Sequence, residues 1–286
     1  MTSKIKYCLI VIVFQFACVG CNLKMISYNL NEPDQRFKLS NKVDEISGLT
    51  TFNDSTLICV DDELGKFFFI DFNNGNIRTD IKFGKKGDFE GVEIVDSAIY
   101  VLKSNGIISM AIIGMQEVDT LVLYETGLEK LNTEGLGTSE HGELLIACKG
   151  RKKKATERQI FTYDPDREKL KLLTRITYKK VNRYIKRHKA DKRLKHLIID
   201  KEKKIRFSPS GIACQPITGN LYVISANDRY LMVLSSRGRI LSIQELDKKR
   251  IKQPEGICFS SDGSLIISNE ARNKKATLLL FKADVE

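Results

Sequence analysis

The sequence predicts an all-β protein, a five-bladed β-propeller with a basic helical insertion in its fourth repeat. Three observations support this fold: a glycine motif that recurs five times, an interval of about 44 residues between most copies, and short apolar runs after each copy. Four strands in a repeat of about 40 to 45 residues are typical of one propeller blade.

The recurrent motif consists of Glu or Ser, then Gly, then an aliphatic residue. Its copies read EISGLT, FEGVEI, NTEGLG, SPSGIA and QPEGIC, with the glycines at Gly48, Gly91, Gly135, Gly211 and Gly256. Successive glycines are 43, 44, 76 and 45 residues apart. The long interval equals one repeat plus about 30 residues, so we predict five blades. A six-bladed propeller is the alternative, if that interval contains a degenerate blade.

The runs after each glycine predict the remaining strands of a blade. Runs such as TLICV and NLYVIS follow turn residues, and hairpin signals such as FNNGNI and SSRGRI precede a fourth run in most repeats. The last repeat has no fourth run. We therefore expect an N-terminal strand, at Met25–Leu30 or Arg36–Leu39, to complete the final blade and close the ring.

Residues 177–205 are the predicted insertion. Between Arg175 and Arg206 there are 14 basic and three acidic residues, an excess equal to the whole formal net charge of +11. Gly and Pro are absent from this region, and its apolar residues (Val181, Tyr184, Ile185, then Leu194, Leu197, Ile198) recur at helical spacing. Since the flanking repeats have normal length, we expect the insertion to be an addition that the propeller does not need for folding.

The concentrated charge suggests the partners of the insertion. The rest of the chain is electrically neutral, which argues against a nucleic-acid-binding protein. Anionic lipid or polysaccharide are the expected counterparts of residues 175–206. The alternative interpretation is a solvated helical face without a ligand.

The N-terminus predicts export. Lys4 and Lys6 precede the apolar run from Cys8 to Gly20, which has the length of a signal-peptide core. Cys21 follows small residues, as in a lipoprotein signal, and is the predicted lipidation site. We predict a signal peptide at 1–20, an anchored segment with the closing strand at 21–42, and the propeller at 43–286. An uncleaved anchor and an ordinary signal are the alternatives, and all three place a monomeric domain in the cell envelope, outside the cytoplasm.

The four other cysteines are predicted to be free thiols. Cys59, Cys148, Cys214 and Cys258 each lie in an apolar run of a different repeat, where cysteine serves as a small core residue. No spacing typical of a Cys/His metal site occurs after Cys21. We expect no disulfide bond among these four.

The ordered motifs resemble the SdiA-regulated family of exported, YjiK-like propeller proteins. The resemblance covers about Val43 to Phe281 and rests on ISGL, FEGVE, TEGL, PSGI and PEGI in this order, with the strand ends YVISAND and IISNEA. It implies a five-bladed propeller with a bound calcium ion and no established enzymatic activity. The long basic insertion departs from the family pattern.

The residues before the repeated glycines form the candidate metal site. The innermost strands of a propeller line its central channel, so equivalent positions in the five repeats converge on the axis. The glutamates Glu90, Glu134 and Glu255 would repel one another there, and a divalent cation removes that repulsion. Oxygen ligands favour calcium, the predicted cofactor. Ser47, Ser210 and Glu93 are additional candidates at the channel mouth. In the alternative interpretation, the glutamates cap loops or pair with Lys103 or Lys149.

The ends of the second strands form a second candidate ring. Its members carry mixed charges and are Asp61, Asp62, Lys103, Lys149, Ser225, Asn227, Asn269 and Glu270. A ring of this kind binds a polar ligand or forms a hydrogen-bonded network within the channel. The favoured interpretation is the network, with Lys103, Lys149, Asn227, Asn269 and Glu270 as the ligand-binding alternative.

The expected function is that of a non-enzymatic, calcium-binding module of the cell envelope. One alternative is a calcium-dependent hydrolase of the lactonase or phosphotriesterase type, and another is a surface protein that binds polyanions or glycans. None of the three histidines lies in a repeat motif. Because histidine is the commonest general base, this argues against an enzyme, and we assign no catalytic residue.

Overall fold

Five four-stranded antiparallel sheets form the body of the part of the chain that the structure describes, and their innermost strands contact one another in a closed ring. The structure, a computed structural model, describes residues 26–150, 156–188, 192–271 and 274–285. The predicted signal peptide and Cys21 lie outside these residues. Within the described ranges, no helix has the length and apolar character needed to span a membrane.

The strands follow one another from the inner to the outer edge of each blade. Before the first blade come β1 (Ile26–Ser27), β2 (Gln35–Lys38) and a 3₁₀ turn at Asn41–Val43. Blade 1 contains β3 (Ile46–Asn53), β4 (Thr56–Asp61), β5 (Lys66–Asp71) and β6 (Ile77–Lys82). Blade 2 contains β7 (Phe89–Val95), β8 (Ala98–Lys103), β9 (Ile107–Ile113) and β10 (Val118–Glu125). Blade 3 contains β11 (Thr133–Thr138), β12 (Leu144–Cys148), β13 (Glu157–Asp164) and β14 (Lys169–Thr177).

The insertion comes next, between blades 3 and 4. It consists of α1 (Tyr178–Arg187), 3₁₀ turns at Lys192–Leu197 and Asp200–Glu202, and the paired strands β15 (Ile198–Ile199) and β16 (Lys204–Ile205). Blade 4 contains β17 (Pro209–Cys214), β18 (Leu221–Ser225), β19 (Tyr230–Leu234) and β20 (Ile240–Glu245). Blade 5 contains β21 (Pro254–Phe259), β22 (Leu265–Asn269) and β23 (Thr277–Phe281), and β24 (Asp284–Val285) follows it. The five-bladed fold is confirmed, and its six-bladed alternative is excluded.

The N-terminal strand β2 closes the ring. It pairs antiparallel with β23, from Gln35 opposite Leu280 to Lys38 opposite Thr277, and becomes the outer strand of blade 5. Of the two segments expected from the sequence, the later one therefore closes the ring. Ile26 and Ser27 of β1 pair instead with β24, outside the blade.

The repeated glycines lie where neighbouring inner strands approach most closely. A Cβ atom on Gly48 would lie 2.3 Å from the backbone nitrogen of Val92, and one on Gly135 would lie 2.9 Å from the backbone of Gly211. Gly91 faces Leu136 and Gly256 faces Leu49 at 2.7 Å from the hypothetical Cβ. The glycines recur because blade-to-blade packing leaves no space for a side chain.

The insertion packs into the core between blades 3 and 4. Val181 and Leu197 are fully buried, Leu194 is nearly so, and they contact apolar residues of both blades. The guanidinium of Arg158 in β13, itself buried, donates a 2.5 Å hydrogen bond to the carbonyl of Phe207 where the insertion ends. The predicted helix is present at Tyr178–Arg187, whereas Leu194 and Leu197 lie in a 3₁₀ turn and Ile198 lies in β15. The apolar face of the insertion packs into the core, which argues against an addition that the propeller does not need for folding.

The four cysteines in the described residues are free thiols, as predicted. Cys59, Cys148 and Cys258 are buried, and burial raises the pKa of the Cys148 thiol to about 12. Each packs in the apolar layers between blades, where it acts as a small hydrophobic residue.

Candidate functional site

A β-bulge in each inner strand displaces the residue that precedes the repeated glycine. In blade 2, Phe89 pairs with Lys103 and Gly91 with Leu102, so Glu90 is left outside the regular pairing. The register shifts at the equivalent place in the other four blades. A bulge redirects the side chain of its extra residue. The motif therefore places its Glu or Ser at one end of the channel.

Seven carboxylates and one lysine gather at the end of the channel where the inner strands begin. We call this group the acidic mouth; it comprises Glu45, Asp61, Asp62, Glu90, Glu134, Glu255, Glu270 and Lys149. Burial, together with neighbouring carboxylates, raises the pKa values of Asp62, Glu90 and Glu255. Acidic side chains outnumber basic ones seven to one within this group.

The three predicted glutamates surround the ammonium group of Lys149. The Lys149 Nζ lies 2.6 Å from an oxygen of Glu134, whose side chain is almost fully buried. Burial, and after it the neighbouring Glu134 carboxylate, raises the pKa of Glu90 to about 9. Burial also raises the pKa of Glu255 to about 8, against the opposing effect of Lys149. For Glu134 the structure thus has the lysine pair that the sequence left as an alternative.

A second carboxylate group lies beside the first, where β3 begins and β4 ends. Oxygen atoms of Glu45, Asp61 and Asp62 lie within 4.8 Å of one another, and no other set of three His, Cys, Asp or Glu residues in the described ranges is that close. Burial, with Glu45 and Asp61, raises the pKa of Asp62 to about 7. The Asp62 Oδ1 is buried and has no hydrogen-bond partner among the described residues. It is therefore an oxygen donor available to a cation.

The remaining candidates of the first ring have other partners. The Ser210 hydroxyl donates a 2.6 Å hydrogen bond to the carbonyl of Pro254 in the next blade, and Ser47 is buried between blades. Glu93 lies towards the other end of the channel, where Thr50 donates to it at 2.6 Å. Burial raises the pKa of Glu93 to about 7, and it lines a separate pocket of about 330 Å³. The structure does not bring Glu93 together with the acidic mouth.

The second predicted ring is divided among several roles. Lys103 places its ammonium 5.2 Å from the centre of the Phe89 ring, a cation–π contact. Asn269 is buried and accepts hydrogen bonds from the backbone of Lys252 and Gln253. Asn227 is exposed, whereas Asp61, Asp62, Lys149 and Glu270 of this ring belong to the acidic mouth.

Sequence reasoning missed Glu45 as a member of the site. It lies two positions before Ser47, outside the motif position at which the other repeats carry glutamate. A usable signal was present, because Asp61 and Asp62 end the second strand of the same blade, where blades 2 and 3 carry a lysine. An acidic pair at that position in one blade indicates that its carboxylates face a cation or one another.

Comparisons with known proteins agree with the fold. A sequence model of the family described as SdiA-regulated matches residues 28–273. No protein with a curated description matches the chain.

Solved structures of similar fold include glutaminyl cyclase from Myxococcus xanthus, at 11% identity over 92% of this chain and 98% of that one, with a TM-score of 0.58. The PQQ-bound aldose sugar dehydrogenase of Streptomyces coelicolor is 10% identical over 91% and 99% of the two chains, with a TM-score of 0.57. The calcium-binding protein regucalcin from Agrobacterium tumefaciens is 12% identical over 90% and 94%, with a TM-score of 0.50. At these identities the similarity shows the propeller fold alone.

Proposed function

The chain belongs to the SdiA-regulated family, and on that basis we propose that it is a binding module of the cell envelope whose acidic mouth holds a calcium ion. The observation that carries this proposal is the clustering of seven carboxylates at one end of the channel, three of them beside Lys149. Burial, and after it the neighbouring carboxylates, disfavours the charged forms of Asp62, Glu90 and Glu255 and raises their pKa values. A bound divalent cation would favour the charged forms.

The donors favour calcium over a transition metal. All the candidate ligands at the acidic mouth are carboxylate oxygens, which suit a hard cation with a flexible coordination shell. Glu45, Asp61 and Asp62 are the proposed primary ligands, because their oxygens are already close and Asp62 Oδ1 has no hydrogen-bond partner among the described residues. The sequence-predicted ligands Glu90, Glu134 and Glu255 share Lys149 and are the second choice.

Binding, and not hydrolysis, is the proposed role. His141 is exposed in a turn, and His188 and His196 lie in the insertion, so none of them reaches the acidic mouth. A hydrolase at this site would have to use a carboxylate as its base. The proposed location in the cell envelope rests on the apolar run before Cys21.

Calorimetric titration of the chelator-treated full chain with calcium tests the proposal. We expect heat of binding and a rise in Tm, since a ligand at a hundredfold excess over its Kd stabilises the native state by about 2.7 kcal/mol. The pair Asp61→Asn with Asp62→Asn should abolish both effects. The pair Glu32→Gln with Asp166→Asn removes two exposed carboxylates elsewhere and should abolish neither.

Two results would count against the proposal. If the parent protein melts at the same temperature in calcium and in chelator, the acidic mouth is neutralised by protons and Lys149 without a metal. If Glu90→Gln with Glu255→Gln abolishes binding and the aspartate pair does not, the ion is held by the sequence-predicted glutamates instead.

A further inference from the structure

A basic groove lies between the insertion and blade 4, and it shares no lining residue with the acidic mouth. One wall is α1, and the other is the turn between β19 and β20; together they enclose about 470 Å³. The charged residues that line it are Lys180, Arg183, Arg187, Arg237 and Arg239. Two of these five cations come from outside the basic segment, so the fold concentrates charge beyond what the sequence run contains.

The five cations lack carboxylate partners. Elsewhere Arg78 pairs with Asp71 at 2.7 Å and Arg250 pairs with Asp247 at 2.9 Å. Among the residues that the structure describes, no ion pair involves the cations of the groove, and no carboxylate lines it. Five positive charges around one space repel one another, and an anion bound in the groove offsets this repulsion.

The groove is held in shape by its own walls. Val181 and Ile185 anchor α1 in the core, and the hydroxyl of Tyr184 accepts a hydrogen bond from the backbone of Ile243 in β20. The hydroxyl of Thr174 donates to the carbonyl of Gly238 at the tip of the turn and accepts from the ammonium of Lys180, both at 3.1 Å. This one threonine connects the two walls, so little ordering is needed when a ligand binds.

The chemistry of the lining is amphipathic. The rings of Tyr184 and His188 stack with centres 4.0 Å apart, and Ile240 and Leu241 add apolar surface beside the arginines. The guanidinium group of arginine donates two parallel hydrogen bonds to a pair of phosphate oxygens, and the apolar surface can contact a carbon chain attached to that phosphate. We propose that the groove binds a phosphate group, and specifically the headgroup of an anionic phospholipid.

The position of the N-terminal segment favours a membrane as the source of that phosphate. Asn31 lines a small pocket together with Arg193 of the insertion, so the chain reaches the insertion ten residues after Cys21. A chain anchored at Cys21 would meet headgroups at high local concentration. Basic residues near such a surface gain about 1 kcal/mol each, which is about fivefold in affinity.

The test is calorimetric titration of the full chain, held in an uncharged detergent, with dihexanoyl phosphatidylglycerol, glycerol 3-phosphate and inorganic phosphate. The variant Arg183→Gln with Arg237→Gln removes one exposed cation from each wall. We expect it to weaken binding of the lipid about 25-fold. The control, Arg36→Gln with Arg206→Gln, removes two exposed arginines outside the groove and should leave affinity within about twofold. Partition of the lipid into micelles affects the measured affinity of both variants equally, so the ratio of their affinities is free of this effect.

Each outcome decides a part of the proposal. Tighter binding of the lipid than of glycerol 3-phosphate, lost in the groove variant, supports a headgroup site. Equal affinity for the two would keep the phosphate site and overturn its assignment to a membrane. Failure of all three probes to bind would overturn the proposal, as would an affinity for the lipid that falls equally in the groove variant and the control. None of these results depends on calcium at the acidic mouth.

Discussion

Leu197→Ala tests whether the basic insertion is part of the folded core. Leu197 is fully buried and packs with Ile205 and Phe207 against blades 3 and 4. Truncation of a buried leucine lowers the free energy of unfolding by about 2 to 5 kcal/mol, because it removes contacts and leaves a cavity. At about 3 kcal/mol, the Tm of a chain of this size falls by about 6 to 12 °C.

Urea denaturation followed by circular dichroism, with calorimetry for Tm, measures this change. Leu123→Ala is the matched control, since Leu123 is 63% exposed on the outer strand of blade 2 and its truncation should change stability by at most about 0.5 kcal/mol. If Leu197→Ala is no less stable than Leu123→Ala, the insertion does not contribute to the core. By the same reasoning, replacing residues 178–204 with a flexible linker should prevent stable folding, because it removes several buried apolar side chains at once.

Three further predictions concern the ring, the acidic mouth and the N-terminus. Gly48→Ala should abolish soluble folded protein, because the added Cβ would lie 2.3 Å from the Val92 backbone. The control Gly84→Ala, whose Cβ would have no atom within 4 Å, should fold normally. Soluble yield and circular dichroism distinguish the two variants. In chelator, the free energy of unfolding should fall as the pH rises from about 5 to about 9. The pKa values of Glu90 and Glu255 are raised in the native state, so across this pH range the native state holds more protons than the unfolded chain does. Urea titrations across this range should show a smaller fall with saturating calcium, and an equal fall would argue against a metal at the mouth. Cys21→Ser should move the protein from the membrane fraction to the soluble fraction of lysed cells, and unchanged membrane association would favour an uncleaved anchor.

The blade count was predictable because one physical constraint repeats in the sequence. Close approach of inner strands excludes a side chain at Gly48, Gly91, Gly135 and Gly256 and leaves little space at Gly211, so the glycine marks each blade. The bulge beside the glycine was not predictable, since it depends on pairing with the second strand. That is why the sequence identified Glu90 and Glu255 as candidates but could not place Glu93 at the other end of the channel.

The packing of the insertion was harder to predict than its helix. Val181, Ile185 and Leu194 recur at helical spacing, and this pattern indicates an apolar face without naming what covers it. In the structure that face is covered by the outer strands of blades 3 and 4. The arginines at 237 and 239 lie far along the chain in an ordinary hairpin turn, so only the fold reveals that they face α1.

The closing strand imposes an order of events on the synthesis of this protein. Gln35 leaves the ribosome, and any export channel, about 240 residues before Thr277 and the rest of its partner strand. Until β23 arrives, the edge of that partial sheet does not exist and β2 has nothing to pair with, while blades 1 to 4 can already form by local pairing. Pairing of β2 with β23, which closes the ring, therefore has to wait until the last blade has been made. A chain of this design has to remain soluble as an open arc until its last blade is made. Chaperones and proteases therefore have most access to it in the interval before the ring closes.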